Sequence, residues 1–211
     1  MSGHDDFATE AVPGLPERPP VGEALLWQGR PDALALARDA YKITWVAGYF
    51  VVLAGWRAAV ITDGSLAGIV AVMLPYMVIG AVAVGLLYSL AWVQARATIY
   101  TITTARVALR IGAALTVTLN VPFKQIGNAT LAAKGNGTGT IALETLGDAR
   151  ISYLVCWPHV RPWHLAKSQP ALRCIPDAAA VAKLLADAAE TRVSQPQVTL
   201  VTPRLGMAAA E

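Results

Sequence analysis

The chain has 211 residues with a formal net charge of +3, of which 55% are hydrophobic and only 15% are charged, and its mean hydropathy is +0.47. This composition is typical of membrane proteins, but the charges are concentrated outside one central region, which excludes a wholly embedded chain. A pI near 9.0 is a mild basic excess that alone favours neither nucleic acid nor a lipid surface as a partner.

The N-terminal segment, residues 1–21, contains four of the thirteen prolines and shows no hydrophobic period. This pattern predicts a disordered or extended arm. It lacks a basic stretch followed by an apolar one, so we expect no cleaved signal peptide. Residues 22–40 form a juxtamembrane segment in which Leu25, Leu26 and Trp27 are too apolar for a free tail. We expect this segment to lie against the membrane or the folded domain, with Asp32 as the N-cap of a short helix.

A transmembrane hairpin is predicted over residues 41–93, with spans at 41–61 and 66–93. The second span includes 28 residues without a charge, about 42 Å of helix, which exceeds the roughly 30 Å hydrocarbon core. A soluble buried helix of this length would need apolar cover on every side. The excess length requires tilt, an interfacial end or a kink at Pro75. The short connection TDGS at 62–65 forces the helices to run antiparallel.

Charge predicts the orientation of the hairpin. The terminal side carries Arg30, Arg38, Lys42, Arg96, Arg106 and Arg110, whereas the tip carries Arg57 beside Asp63. The positive-inside rule therefore places both termini in the cytoplasm. The cysteines Cys156 and Cys174 then lie in a reducing compartment, so we expect two structural thiols rather than a disulfide.

After the hairpin, residues 94–190 have the period of short strands. A turn at 103–105 separates two strands, and further strands are predicted at 115–121, 128–133, 141–146 and 151–156. A helix beginning at Pro176 and Asp177 ends the domain, and residues 191–211 form a loosely held tail. The fold class is an α+β membrane protein, in which a small antiparallel β-barrel or sandwich is closed by a C-terminal helix.

Several motifs carry a family resemblance. GEALLWQGRP at 22–31, YTITTARVALRIG at 100–112, the stretch 121–143 and IPDAAAVAKLLADA at 175–188 resemble the bacterial pleckstrin-homology-like (PH-like) membrane proteins. VPGLPE at 12–17, LLWQGRPD, WVAGYF and WPHVRPW at 157–163 narrow the resemblance to photosynthetic assembly proteins of purple bacteria. The resemblance implies a role in building the core complex of reaction centre and light-harvesting 1 antenna, in the intracytoplasmic part of the inner membrane.

The segment WPHVRPW is the principal candidate site. Its Trp157, Pro158, His159, Arg161, Pro162 and Trp163 combine residue types that block strand pairing with types that dominate binding hot spots, and Trp27 and Arg30 of the leader join them as candidate partner-binding residues. One interpretation is a rigid loop that docks a partner protein or the membrane interface. The other is an aromatic plug that completes the domain core, because Trp is mostly buried.

Other motifs support no chemistry. Neither span contains a histidine that could ligate a buried pigment, and the spacing of His159 and His164 fits no common zinc pattern. GNGTGT at 135–140 lacks the GK[ST] ending of a phosphate loop and indicates a hairpin turn. No serine has a paired base or a nucleophile-elbow context. We therefore expect no catalysis, cofactor or metal.

The predicted function is a non-enzymatic assembly factor. The expected partners are reaction-centre and light-harvesting 1 polypeptides, membrane lipids and a second copy in a homodimer, with no nucleic acid. The alternative is a PH-like module that senses anionic lipid, because residues 94–190 carry ten Lys or Arg against five Asp or Glu.

Overall fold

The computed structural model describes residues 14–15, 17–61, 64–113, 115–147 and 151–194. The predicted tail beyond 194 and most of the predicted arm lie outside these residues. Leu15, within that arm, is buried, and Gly14 adopts a φ of +86° against the side chain of Ile99. This short part of the N-terminal segment is therefore packed on the folded domain.

The chain has five α-helices, one 3₁₀ turn and seven strands within the described residues. In order these are β1 (Leu25–Gly29), α1 (Ala33–Asp39), α2 (Ile43–Ile61), α3 (Leu66–Ala97), β2 (Ile99–Thr103), β3 (Arg106–Ile111), β4 (Val117–Pro122), a 3₁₀ turn (Phe123–Gln125), β5 (Ile126–Ala133), β6 (Thr138–Thr145), α4 (Tyr153–Cys156), β7 (Ala171–Pro176) and α5 (Ala178–Ser194). The strands and α5 form a head domain beside the α2–α3 hairpin.

Helices α2 and α3 are long and apolar enough to cross a membrane, and they pack side by side. Only 11% of the most apolar window of α2 and 6% of that of α3 are buried, whereas a core helix of a soluble protein would be mostly buried. Ser65 caps α3 by accepting a hydrogen bond from the Gly68 N–H at 3.2 Å. Helix α3 continues through Pro75 and ends at Ala97, four residues beyond the predicted span.

The strands form two antiparallel sheets, one with the order β1-β2-β3-β4 and one with the order β5-β6-β7. No ladder joins the two sheets among the described strands, so the predicted closed barrel is wrong. Pro122 ends β4 without an N–H to continue the ladder, and the 3₁₀ turn then redirects the chain into the second sheet. Strand β1 pairs with β2, so a segment that precedes the hairpin completes the head.

One predicted strand is a helix. Residues 151–156 alternate like a strand, but Tyr153–Cys156 form the single helical turn α4, closed by a 3.2 Å bond from the Cys156 N–H to the Ser152 carbonyl. Pro158, two residues after Cys156, has no N–H for a ladder, so the segment cannot continue as a paired strand.

The core lies between the two sheets and α5. Its members include Tyr100, Ile102, Leu109, Ile141, Leu143, Leu172 and Ile175 from the strands, Phe123 from the 3₁₀ turn, and Val181 and Leu185 from α5. The predicted apolar face of the last helix therefore does cover the head. Because α5 begins one residue after Asp177, its start agrees with the sequence prediction.

Candidate functional site at the hairpin–head junction

The WPHVRPW segment has two parts with different environments. Its inner part is packed, with His159 only 1% exposed and Val160 fully buried. Its outer part projects from the head, and Trp163 is 91% exposed. The inner half, residues 158–160, therefore joins the core, and the outer half is a surface loop. Both tryptophans are exposed, with Trp157 at 39%, so the predicted aromatic plug is wrong.

His159 connects the head to the end of α3. Its Nε2 lies 3.0 Å from Oγ1 of Thr98, the C-cap residue of α3, and its Nδ1 lies 2.6 Å from the Tyr100 hydroxyl oxygen. The Thr98 hydroxyl donates to the Gln94 carbonyl, so its oxygen accepts from the Nε2–H of His159. The Tyr100 hydroxyl accepts from the Arg173 N–H at 3.2 Å and donates to Nδ1. This assignment gives every donor one acceptor and requires a neutral imidazole.

Burial of this network explains its protonation. Burial, reinforced by the nearby charge of Arg173, lowers the pKa of His159 to about 3. Burial also raises the pKa of Tyr100 far above its ordinary value. Both side chains therefore stay neutral at physiological pH. A histidine with such a low pKa holds its neighbours in place but is a poor general base.

A charged cluster fixes the end of α1 to the head. Asp39 accepts from Arg173 at 2.5 Å and from Lys134 at 2.8 Å, and a second Arg173 nitrogen donates to the Pro158 carbonyl at 2.9 Å. Burial alone would raise the pKa of Asp39, but the hydrogen bonds and positive charges of Lys134 and Arg173 lower it to about 2. Arg173 is thus held between the segment before the hairpin and the WPHVRPW segment.

Apolar contacts complete the attachment. The Trp157 ring meets Tyr41, two residues before α2, edge to face at a centroid distance of 5.1 Å. Leu36 of α1 packs with Ala95 of α3 and Cys174 of β7. We call the set formed by Asp39, Tyr41, Thr98, Tyr100, Trp157, His159 and Arg173 the junction. It ties both ends of the hairpin to one side of the head.

The remaining candidate residues lie elsewhere. Trp27 borders a groove of about 370 Å³ beside Val181 and Leu184 of α5, and Arg30 is exposed. Arg161 donates to the Gln169 side chain at 3.0 Å, which closes the outer loop around the exposed Pro162. The structure therefore does not bring the leader residues into the junction.

Sequence reasoning missed most of the junction. Asp39, Thr98, Tyr100 and Arg173 were not candidates, because they are far apart in the chain and Asp39 is 134 residues from Arg173. One signal was available: Arg173 is the single charge in the apolar strand ALRCI. A charge within a buried strand indicates a buried partner.

Within the described residues, no group of three or more His, Cys, Asp or Glu could hold a metal ion. Both ring nitrogens of His159 have protein partners, and Nδ1 of His164 lies 2.9 Å from the Pro162 carbonyl oxygen. Cys156 and Cys174 are buried free thiols, and burial, with the charge of Asp39, raises the pKa of Cys174 to about 11. The protonated Cys174 thiol is therefore unreactive at neutral pH.

Comparison with known proteins identifies the class. A family model described as bacterial PH domain matches residues 43–189, so the chain belongs to the bacterial PH domain family. The chain is also 48% identical, over 213 aligned positions, to an uncharacterized 23.7 kDa protein in the puhA 5' region of Rhodobacter capsulatus, and the alignment covers 100% of this chain and 99% of that protein. A solved structure of a pleckstrin-homology protein from Shewanella loihica PV-4 overlaps 44% of this chain and 71% of its own, with 14% identity and a TM-score of 0.30.

Proposed function

We propose that the protein is a non-enzymatic membrane factor for assembly of the reaction centre–light-harvesting 1 core complex. The observation that carries this proposal is the relative from the puhA region, a photosynthesis operon, which is similar over its whole length. The motifs VPGLPE and WPHVRPW favour the narrower likeness to the photosynthetic complex assembly protein PuhB.

The hairpin provides the anchor in this proposal. Helices α2 and α3 expose large apolar side chains all along their length, including Trp45, Val52, Leu66, Val70 and Leu86. Such a surface is costly in water and favourable in lipid. At the head end of α3 the Arg96 guanidinium lies 4.7 Å from the Trp92 ring, a pair suited to the membrane–water interface. We place both termini in the cytoplasm and the protein in the inner, intracytoplasmic membrane.

The junction gives the assembly role a mechanism. A head tied to both hairpin ends by buried polar and aromatic contacts keeps a fixed orientation to the lipid. The exposed hairpin faces then contact newly inserted reaction-centre or antenna helices and shield them until pigment and neighbouring subunits arrive. Self-association into a homodimer would double the available faces. The protein itself supplies position and contact area and carries out no catalysis.

Affinity purification from detergent-solubilised photosynthetic membranes tests the proposal. We expect tagged protein to recover reaction-centre or light-harvesting 1 polypeptides in a strain that is actively building core complexes. Membranes of the same strain grown without core-complex synthesis provide the control. Recovery of no core-complex polypeptide, with the tagged protein intact, would overturn the proposed role.

The alternative function is a sensor of anionic lipid. The observation in its favour is the excess of ten Lys or Arg over five Asp or Glu in residues 94–190. The same purification discriminates the two functions, because a sensor should enrich anionic lipid and no core-complex polypeptide.

A further inference from the structure

The buried inner half of the WPHVRPW segment is flanked along the chain by a set of exposed apolar side chains. Its members are Leu154 and Val155 of α4, Trp157, and Trp163 and Leu165 of the outer loop. Leu154 is 84% exposed and Leu165 is 67% exposed, so these side chains contribute little to the core. We call this surface the apolar ledge. Exposed apolar groups clustered in one short segment mark a contact with something other than water.

We propose that the apolar ledge inserts into the interfacial layer of the same bilayer that holds the hairpin, so that lipid and not a protein subunit is its resident partner. The proposal rests on the membrane anchoring proposed above. It adds a third attachment of the head to the membrane, beyond α2 and α3.

The apolar ledge begins next to the hairpin. The Trp157 ring packs on Tyr41, just before α2, and α4 is the turn that ends directly before Trp157. Two residues further on, His159 bonds to Thr98, which caps α3. The ledge residues of α4 therefore begin next to the point where the two apolar helices enter the head. A membrane that covers the hairpin up to Tyr41 therefore lies beside Trp157, the ledge residue that contacts Tyr41.

The segment that carries the apolar ledge has basic side chains and no acidic ones. Residues 151–169 contain no Asp or Glu, and their charged side chains are Arg161 and Lys167. Tryptophan with arginine and lysine is the combination found at membrane interfaces, where the rings sit at headgroup level and the cations meet lipid phosphates. An acid-free segment of this kind is complementary to an anionic lipid surface.

Backbone hydrogen bonds hold the base of the outer loop. The Arg161 N–H donates to the Gln169 carbonyl at 2.9 Å, and the Ala171 N–H donates to the His159 carbonyl at 2.9 Å. These bonds close the loop at its base. Trp163, at a φ of 65°, is 91% exposed and so does not pack on the head. The loop therefore presents its apolar side chains on a fixed base, as an interfacial anchor requires.

Fluorescence quenching in vesicles tests the proposal on the full chain. Leu165→Cys is labelled with a fluorophore and reconstituted into vesicles of phosphatidylcholine and phosphatidylglycerol in equal amounts, with a nitroxide on the lipid chain. Cys156 and Cys174 are buried, so the wild-type protein measures background labelling. We expect the label at 165 to be quenched several-fold more than a label at Gln125→Cys. Gln125 is exposed and lies two residues after Phe123. The Phe123 N–H donates to the Ala105 carbonyl in the β2–β3 turn, and this turn is at the end of β2 that is opposite Thr98.

A label at Val82→Cys, in the middle of α3, separates this proposal from the proposed anchoring. Quenching at 82 with no more quenching at 165 than at 125 would overturn lipid insertion of the ledge and leave a protein subunit as its occupant. Absence of quenching at 82 would overturn the membrane anchoring and the ledge proposal together. Leu154→Cys repeats the measurement on α4, so the result does not depend on one variant.

Discussion

His159 shows how one residue can make the fold sensitive to acid. Its pKa falls from 6.5 in the unfolded chain to about 3 in the folded protein, so between these values the unfolded state binds the additional proton. The stability contributed by the neutral imidazole is complete above pH 6.5 and is lost progressively as the pH falls toward 3. The loss is about 1.4 kcal/mol per pH unit for a single proton.

Thermal unfolding of the purified protein in detergent should therefore show a midpoint that falls as the pH is lowered from 6.5 to about 5, the upper part of this range. His159→Gln cannot titrate and should have a flatter pH profile, although it loses stability overall. The matched control is His164→Gln, which changes a histidine of the outer loop and should keep the wild-type profile. A His159→Gln protein with the wild-type slope would contradict the assignment.

The ion pair between Asp39 and Arg173 predicts a loss of stability when Asp39 is replaced. Asp39→Asn leaves the guanidinium of Arg173, only 3% exposed, without its carboxylate. An uncompensated buried charge costs about 3–5 kcal/mol, so the free energy of unfolding should fall by about that amount. Denaturant unfolding in detergent measures it.

The control within the same cluster is Lys134→Met, because Lys134 is 38% exposed and its pair with Asp39 should contribute at most about 1 kcal/mol. The double variant Asp39→Leu with Arg173→Leu removes the half-buried carboxylate together with the buried guanidinium and should be more stable than Asp39→Asn. Equal losses for Asp39→Asn and Lys134→Met would show that Arg173 does not depend on Asp39.

The close packing of α2 against α3 predicts how a glycine substitution changes the stability of the hairpin. At Gly80 an added methyl group would lie 2.8 Å from the Cβ of Phe50, which forces α2 and α3 apart. Gly80→Ala should therefore destabilise the hairpin by about 1–3 kcal/mol, the usual cost of overpacking. Gly85→Ala is the matched control, because nothing lies within 4 Å of its added methyl group. The thermal midpoints of the two variants in one detergent give the comparison, and equal midpoints would contradict the close packing.

The elements differ in how far their sequence predicts them. The hairpin and most strands were predictable because apolar runs and alternation report local burial. The same alternation failed at 151–156, where Tyr153–Cys156 form a helical turn and Pro158 lacks the N–H that a paired strand would need. The sequence could not show either that the two sheets remain separate, since closure into a barrel depends on pairing between strands that are distant in the chain.

At the scale of the whole molecule, the junction is the feature that the sequence hides most completely. Its residues come from the stretch between the end of α1 and the start of α2, from the end of α3 and β2, and from the last third of the chain. Each resembles an ordinary polar or aromatic residue in its own context. WPHVRPW was recognisable as unusual because its composition is unusual. The sequence could not show which half of the segment is buried, because His159 is buried against Thr98 and Tyr100, which are about sixty residues away in the chain.

The junction predicts on which side of the membrane the two ends of the molecule lie. Because the junction ties both ends of the hairpin to one head, the N-terminal segment and α5 must lie on the same side of any membrane that the hairpin crosses. Arg30, Arg38, Lys42 and Arg96 lie on that side, so the positive-inside rule predicts that it faces the cytoplasm. A fluorescent protein that matures only in the cytoplasm should glow when fused to the C-terminus, and alkaline phosphatase fused there should be inactive. The same phosphatase inserted at Gly64 should be active, and the reverse pattern would show that the head lies on the other side of the membrane.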